Sequence, residues 1–310
     1  MTKPARGTSA PSASPASAPS ENGVSGREAA RTAFVLAGGG SFGAVQVGML
    51  RELIAHGVAP ELVIGSSVGA INGAYLAGAP VPEGVARLES VWRGLRRSTV
   101  FPVTWRSLIG LVARRDFVID PCGLRRLLEE NLPCQELERT RLPLHVVATD
   151  LLRGGAVRLS AGSVVDTVLA SCAIPAAFPP VRIGEQYLID GAVASNTPIS
   201  VAVELGASRL IVLPTGFACS LTEPPKGVVA AALHWITLMI ARQLVGDLER
   251  YGGRVEIVTV PPLCPLAVSP YDFSRAEDLI DRAAAQTRRW LERGGLGKHR
   301  IPGALRSHEH

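Results

Sequence analysis

The sequence predicts an α/β fold built on a parallel sheet, and three features carry that prediction. Twice, a short apolar run enters a glycine-rich turn and leaves as a helical pattern. Ala33–Leu36 leads into Gly38–Gly43 and then Val47, Leu50, Leu53 and Ile54; Leu62–Ile64 leads into Gly65–Gly69 and then Ala70, Ala74 and Ala77. Third, 310 residues at 47% hydrophobic composition are enough to bury the large core that such a sheet requires.

Residues 1–30 stand apart. From Met1 to about Arg27 they are Ala, Ser, Pro and Gly with almost no large apolar side chain, so they cannot bury enough surface to offset chain entropy and read as a disordered tail. Lys3 and Arg6 are not followed by an apolar stretch, so a secretory signal is not expected.

The first glycine loop, Gly38-Gly39-Gly40-Ser41-Phe42-Gly43, presents backbone N–H groups at a helix N-terminus and is an anion site by construction. Gly38, Gly40 and Gly43 fit the dinucleotide fingerprint, but that pattern also wants an acid at the end of the second strand, and Glu61 precedes that strand. The alternative is an oxyanion hole, and the next turn favours it. Gly65-Ser66-Ser67-Val68-Gly69 spells G-x-S-x-G between a strand and a helix, which predicts a nucleophile elbow with Ser67 exposed at its apex and small neighbours at Gly65 and Gly69. Both turns should open at the same carboxyl edge of the sheet.

Pro80 to Pro121 mixes Trp92, Phe101, Trp105 and aliphatic residues with Arg93, Arg96, Arg97, Arg106, Arg114 and Arg115. Two readings stay open for it: a lid or lipid-facing insertion, or a helical segment packed on the core. Leu144–Ala148 reads as a strand ending in Thr149-Asp150-Leu151, and Val164–Ala170 as a helix. Tyr187-Leu188-Ile189 is a short strand that delivers Asp190-Gly191-Ala192. Leu210–Leu213 and Val255–Val260 are strands, and Ser274–Leu291 is a closing amphipathic helix. Gly227–Val245 is as long as a membrane span, but His234, Arg242 and Gln243 interrupt it, so it reads as a buried, sheet-covering helix.

A serine nucleophile needs a base within hydrogen-bond reach. His299, His308 and His310 fall in a polar C-terminal stretch and His234 in an apolar helix, so no histidine has a triad context. Asp190 is the simpler partner for Ser67, provided that burial raises its basicity. A histidine-dependent hydrolase acting through His234, and a non-catalytic nucleotide- or lipid-binding module, remain as alternatives. Net charge of +5 is spread along the chain without a dense basic run, so no nucleic-acid partner is expected. Five cysteines, an odd number without a C-x-x-C pair, suggest neither a disulfide framework nor a zinc site, but reduced thiols in a cytoplasmic protein.

Taken in order, GGGSFG at 38–43, GSSVG at 65–69, TDL at 149–151, ASCAIPAAFPPV at 170–181 and DGA at 190–192 resemble the patatin-like phospholipase family. The resemblance covers roughly Thr32 to Arg293. It implies a three-layer α/β/α fold around a mainly parallel sheet and a hydrolase domain over 31–293, after which 294–310 reads by composition as a polar C-terminal tail. It implies Ser67 as nucleophile, Asp190 as base, Gly38, Gly39 and Gly40 as oxyanion donors, and no metal or organic cofactor. The substrate would be a phospholipid, lysophospholipid or other acyl ester, met at a peripheral membrane surface. One position departs from the family pattern: Phe42 stands where a basic residue is common.

Overall fold

A computed structural model describes residues 31–96, 119–217, 219–220, 223 and 228–306, without the side chains of 228–233. The expected tail at 1–30, most of the expected lid (97–118) and residues 307–310 lie outside the described residues.

Among the described residues eight strands form one sheet: β1 (Thr32–Leu36), β2 (Leu62–Ser66), β3 (Leu144–Asp150), β4 (Ala156–Leu159), β5 (Val181–Ile183), β6 (Gln186–Ile189), β7 (Arg209–Leu213) and β8 (Glu256–Thr259). Their order is β5-β6-β3-β2-β1-β7-β8, with β4 also paired to β3. The five strands from β3 to β8 along that path run parallel, whereas β4, β5 and β6 are antiparallel at one end.

Successive residues of the central strands serve opposite cores. Phe34, Leu36, Val63 and Ile211 face one, while Ala33, Val35, Leu62 and Val212 face the other. A strand covered on both sides must be apolar at every position, which is why these segments read as unbroken hydrophobic runs.

The first face is covered by α1 (Gly43–Ala55), α2 (Val68–Gly78), α3 (Pro82–Gly94), α4 (Cys122–Asn131), α5 (Val164–Ser171) and, from the end of the chain, a helix over Ala276–Glu292. On the path to that last helix lie α6 (Ala192–Ser195), α7 (Ile199–Glu204) and α8 (Val228–Tyr251), so it is α9. The opposite face is covered by α7 and the C-terminal half of α8. The result is a three-layer α/β/α arrangement around a mainly parallel sheet.

A buried polar cluster fixes the helices behind the glycine loop. Asn72 Nδ2 donates to Gly43 O (3.0 Å) and Gln46 Oε1 (2.9 Å), and Trp92 Nε1 donates to Asn72 Oδ1 (2.9 Å). Gln46 Nε2 in turn donates to the carbonyls of Ala37 (2.8 Å) and Leu213 (2.9 Å) at the ends of β1 and β7. In the described part of the 80–121 segment, α3 buries Val85, Leu88 and Trp92 against α1 and α2, so this part is core.

Two expectations need correction, and a third point was not anticipated. The helix expected to be buried over 227–245 is covered only in its second half: Leu244, Leu248 and Tyr251 pack on the sheet, but Trp235 is 64% and Met239 71% exposed. Its 24 residues span about 36 Å, roughly twice the length of the five-residue β7, so the helix outruns the layer it covers. Among the described residues no helix is long and apolar enough to cross a membrane. Second, the C-terminal stretch from 294 is not a detached polar tail. Leu305 is buried in the second core, with Ile301 against it, and Leu296 packs on the first. Third, β4 and β5 go unanticipated because they are short edge strands with partly exposed, alternating side chains.

Replacing Asn72 with Ala removes the acceptor of Trp92 Nε1 and the donor to Gln46 while both stay buried. Urea denaturation should show a loss of about 2–3 kcal/mol, since orphaned buried polar groups cost more than a surface hydrogen bond returns.

Candidate active site

β2 ends at Ser66 and α2 begins at Val68, so Ser67 alone makes the connection. It sits at φ 52 and ψ −125, a region that costs a residue with a Cβ on the order of 1–3 kcal/mol. Its surroundings hold it there. The Ser67 N–H donates to Ser171 Oγ (2.8 Å), which donates to Val147 O on β3. A Cβ at Gly65 would collide with the Gly69 carbonyl, and one at Gly69 with the Leu36 carbonyl, so the spacing of the two glycines follows from backbone packed on backbone.

Asp190 arrives from the other side. β6 runs antiparallel to β3 with Ile189 opposite Thr149, and the chain leaves the strand at Asp190. Its backbone is fixed at both ends: Asp190 N donates to Ala173 O (2.9 Å), and Thr149 Oγ1 donates to Asp190 O (2.8 Å). The carboxylate accepts from Ala192 N at Oδ1 (2.8 Å) and from Ser67 Oγ at Oδ2 (2.7 Å). The two side chains are therefore joined although they lie 123 positions apart.

Ser67 is 8% and Asp190 4% exposed. Burial lifts the Asp190 carboxyl from its ordinary 3.8 to about 6, against the opposing pull of the Ala192 N–H and the Ser67 hydroxyl. Burial likewise pushes the neighbouring Cys172 thiol well above its usual range, so Cys172 stays protonated.

Of the three glycines expected to donate to an oxyanion, the structure places Gly40 in the same cavity wall as Ser67. Gly40 has φ 58, and a Cβ there would meet the Pro270 carbonyl. Gly39 and Gly40 have N–H groups without a partner among the described residues, whereas Gly38 N donates to Asn196 O (3.0 Å). The Gly38 N–H is thus occupied by the scaffold. Phe42, the unusual residue of the loop, is buried in the first core and contributes nothing polar to the site.

No histidine is hydrogen-bonded to Ser67 or Asp190 among the described residues. His56 bonds the Glu52 carbonyl, His145 lies in β3 opposite Ile64, and His234 is on α8. His308 and His310 lie outside the described residues. Sequence reasoning gave no role to Ser171, Thr149 or the loop at 269–272. The first two stand inside the ASC and TDL blocks, but a hydroxyl that supports a backbone turn has no signature of its own. The loop supports the site too: Pro270 O accepts from Ser41 N (2.7 Å), and burial followed by the charge of Asp190 pushes the Tyr271 phenol up to about 12.

Ser67 and Gly40 border a partly open cavity walled mainly by apolar side chains of α2, α3 and α4. An activated hydroxyl, free N–H donors and an apolar slot together suit the attack of serine on a carbonyl that carries a hydrocarbon group.

The sequence model of the family described as patatin-like phospholipase matches residues 34–203. Patatin-like phospholipase domain-containing protein 7 of Mus musculus is 26% identical over 186 residues, 59% of this chain and 13% of that protein. An uncharacterized NTE family protein of Mycobacterium tuberculosis is 29% identical over 169 residues, 54% of this chain and 27% of that protein. The chain thus spans less than a third of the length of these relatives. Among solved structures, VipD from Legionella pneumophila is similar at a TM-score of 0.46 and 14% identity, covering 85% of this chain and 67% of that one. Human GIVD cytosolic phospholipase A2 follows at 0.42 and 14%, covering 88% and 58%.

The raised Asp190 value has a measurable consequence for stability. The folded carboxyl keeps its proton up to about 6 while the unfolded chain releases it near 3.8, so the native state binds more protons in that window and stability falls as pH rises through it. Asp190→Asn should therefore be more stable than the parent near pH 8, by about 1–3 kcal/mol, and the gap should close below about pH 4. Chemical denaturation at the two pH values checks this.

Proposed function

The chain belongs to the patatin-like phospholipase family, and from that premise we propose that it is a serine acyl-ester hydrolase working through Ser67 and Asp190. The observation that carries the reading is the 2.7 Å hydrogen bond from Ser67 Oγ to Asp190 Oδ2 inside a buried, apolar-walled site. The substrate is a phospholipid, a lysophospholipid or another acyl ester.

Ser67 Oγ attacks the acyl carbonyl carbon while its proton passes to Asp190 Oδ2 along the existing hydrogen bond. Carboxylate is a weak base toward serine, and its value of about 6 narrows that gap. The oxyanion forms beside the N–H groups of Gly39 and Gly40, which need no reorganisation to receive it. Gly38 supports this loop through its bond to Asn196 rather than by donating to the oxyanion. As the tetrahedral intermediate collapses, the leaving alkoxide takes the proton from Asp190 and the acyl group stays on Ser67. Water then enters, gives its proton to Asp190 and attacks the acyl-enzyme. Collapse of the second intermediate returns that proton to Ser67 and releases the free acid.

Turnover of a p-nitrophenyl ester and of a phospholipid by the parent, Ser67→Ala and Asp190→Asn tests this directly. Both substitutions should lower kcat by at least about a hundredfold, and the parent's kcat should fall as pH drops through about 6, where Asp190 takes up its proton. A Ser67→Ala protein that retains its rate overturns the assignment.

A further inference from the structure

We propose that α2 is a ruler for the acyl chain, with Ser67 at its origin and the ring of Tyr75 as its stop. The inference rests on the acyl-hydrolase reading and adds to it the length class of the group transferred. Ser67 caps α2, and the α2 residues that line the cavity are Val68, Ile71 and Tyr75, which fall on one stripe of the helix. From Ser67 to Tyr75 is eight positions, a rise of about 12 Å. An extended hydrocarbon advances about 1.3 Å per methylene for C–C bonds of about 1.5 Å, so the slot holds roughly eight to ten carbons.

Of the α2 residues that line the cavity, Tyr75 is the farthest from Ser67, and it brings a hydroxyl into a mainly apolar wall. Tyr75 is 3% exposed, and its hydroxyl has no hydrogen-bond partner among the described residues. Burial pushes the phenol up to about 12, so it stays neutral at any pH the protein meets. Leu88 of α3 and Leu128 of α4 line the same cavity and are fully buried. Tyr75 itself belongs to the first core, so a chain that reaches it meets a ring held by that packing. Shorter chains leave part of the slot unfilled, at a cost of about a threefold to fourfold loss of affinity per missing methylene.

Hydrolysis of p-nitrophenyl esters graded from acetate to palmitate should peak in kcat/KM at octanoate to decanoate and fall by at least about tenfold at palmitate. Tyr75→Ala should move the optimum toward longer chains by about four carbons, the depth of the lost ring. Tyr75→Phe keeps the ring and should keep the optimum. Ile71→Phe, which leaves the far end intact and fills the slot one turn from Ser67, should move the optimum to shorter chains, so the test survives even if Tyr75→Ala fails to fold.

Binding of the corresponding free alkanoates to Ser67→Ala by calorimetry separates the two claims. If no ester is turned over but alkanoates bind with the same cutoff, the ruler stands and the hydrolase reading fails. If esters are turned over with no optimum, or with an optimum that Tyr75→Ala and Ile71→Phe leave in place, the ruler is wrong and the hydrolase reading stands. If there is neither turnover nor length-dependent binding, both are wrong.

Discussion

The 2.7 Å hydrogen bond between Ser67 and Asp190 is the contact on which the rest of this structure depends, because it must be made away from water. Two acids stand at the same sheet edge, and their surroundings divide them. Asp150 accepts from Leu152 N, from Arg153 N and Nη1 and from Gln186 Nε2, so it is a structural cap for the turn after β3. Among the described residues the Asp190 carboxylate has only the Ala192 N–H and the Ser67 hydroxyl, and burial raises its carboxyl toward neutrality. Where two titratable groups are pushed apart in this way, the less compensated one is the candidate for proton transfer.

Keeping such a carboxylate dry requires a rigid frame. β1 and β2 pair in parallel with Leu36 opposite Gly65, so the glycine loop after β1 and the elbow after β2 emerge side by side. Ser171 reaches from α5 to the Ser67 N–H and to β3, and Asn72 and Gln46 tie α1, α2 and α3 to the ends of β1 and β7. The site is thus assembled from backbone geometry more than from charge. A strained φ at Ser67 persists because these bonds and the close backbone approach at Gly65 and Gly69 leave it no lower-energy alternative.

Much of this was legible beforehand, for identifiable reasons. Two glycine turns flanked by apolar runs and helical patterns are enough to place β1, α1, β2 and α2, because glycine spacing reports close backbone approach directly. Asp190 could be paired with Ser67 because every histidine lacked a suitable setting. What remained hidden depends on surroundings rather than on local pattern. The sequence of α8 says that its side chains are apolar but not that the helix outruns the sheet, so Trp235 and Met239 emerge exposed. Gly38 looks equivalent to its neighbours until Asn196, 158 positions later, takes its N–H. Ser171 and Thr149 act through single hydroxyls whose partners only the fold supplies.

The central claim is that one serine, Ser67, is chemically activated by one carboxylate. Reaction with an alkyl fluorophosphonate, followed by intact mass and peptide mapping across a pH series, tests it most directly. The account predicts a single adduct on Ser67 that forms faster as pH rises through about 6, and none in Ser67→Ala. An unmodified Ser67, or an adduct on another residue, would contradict it.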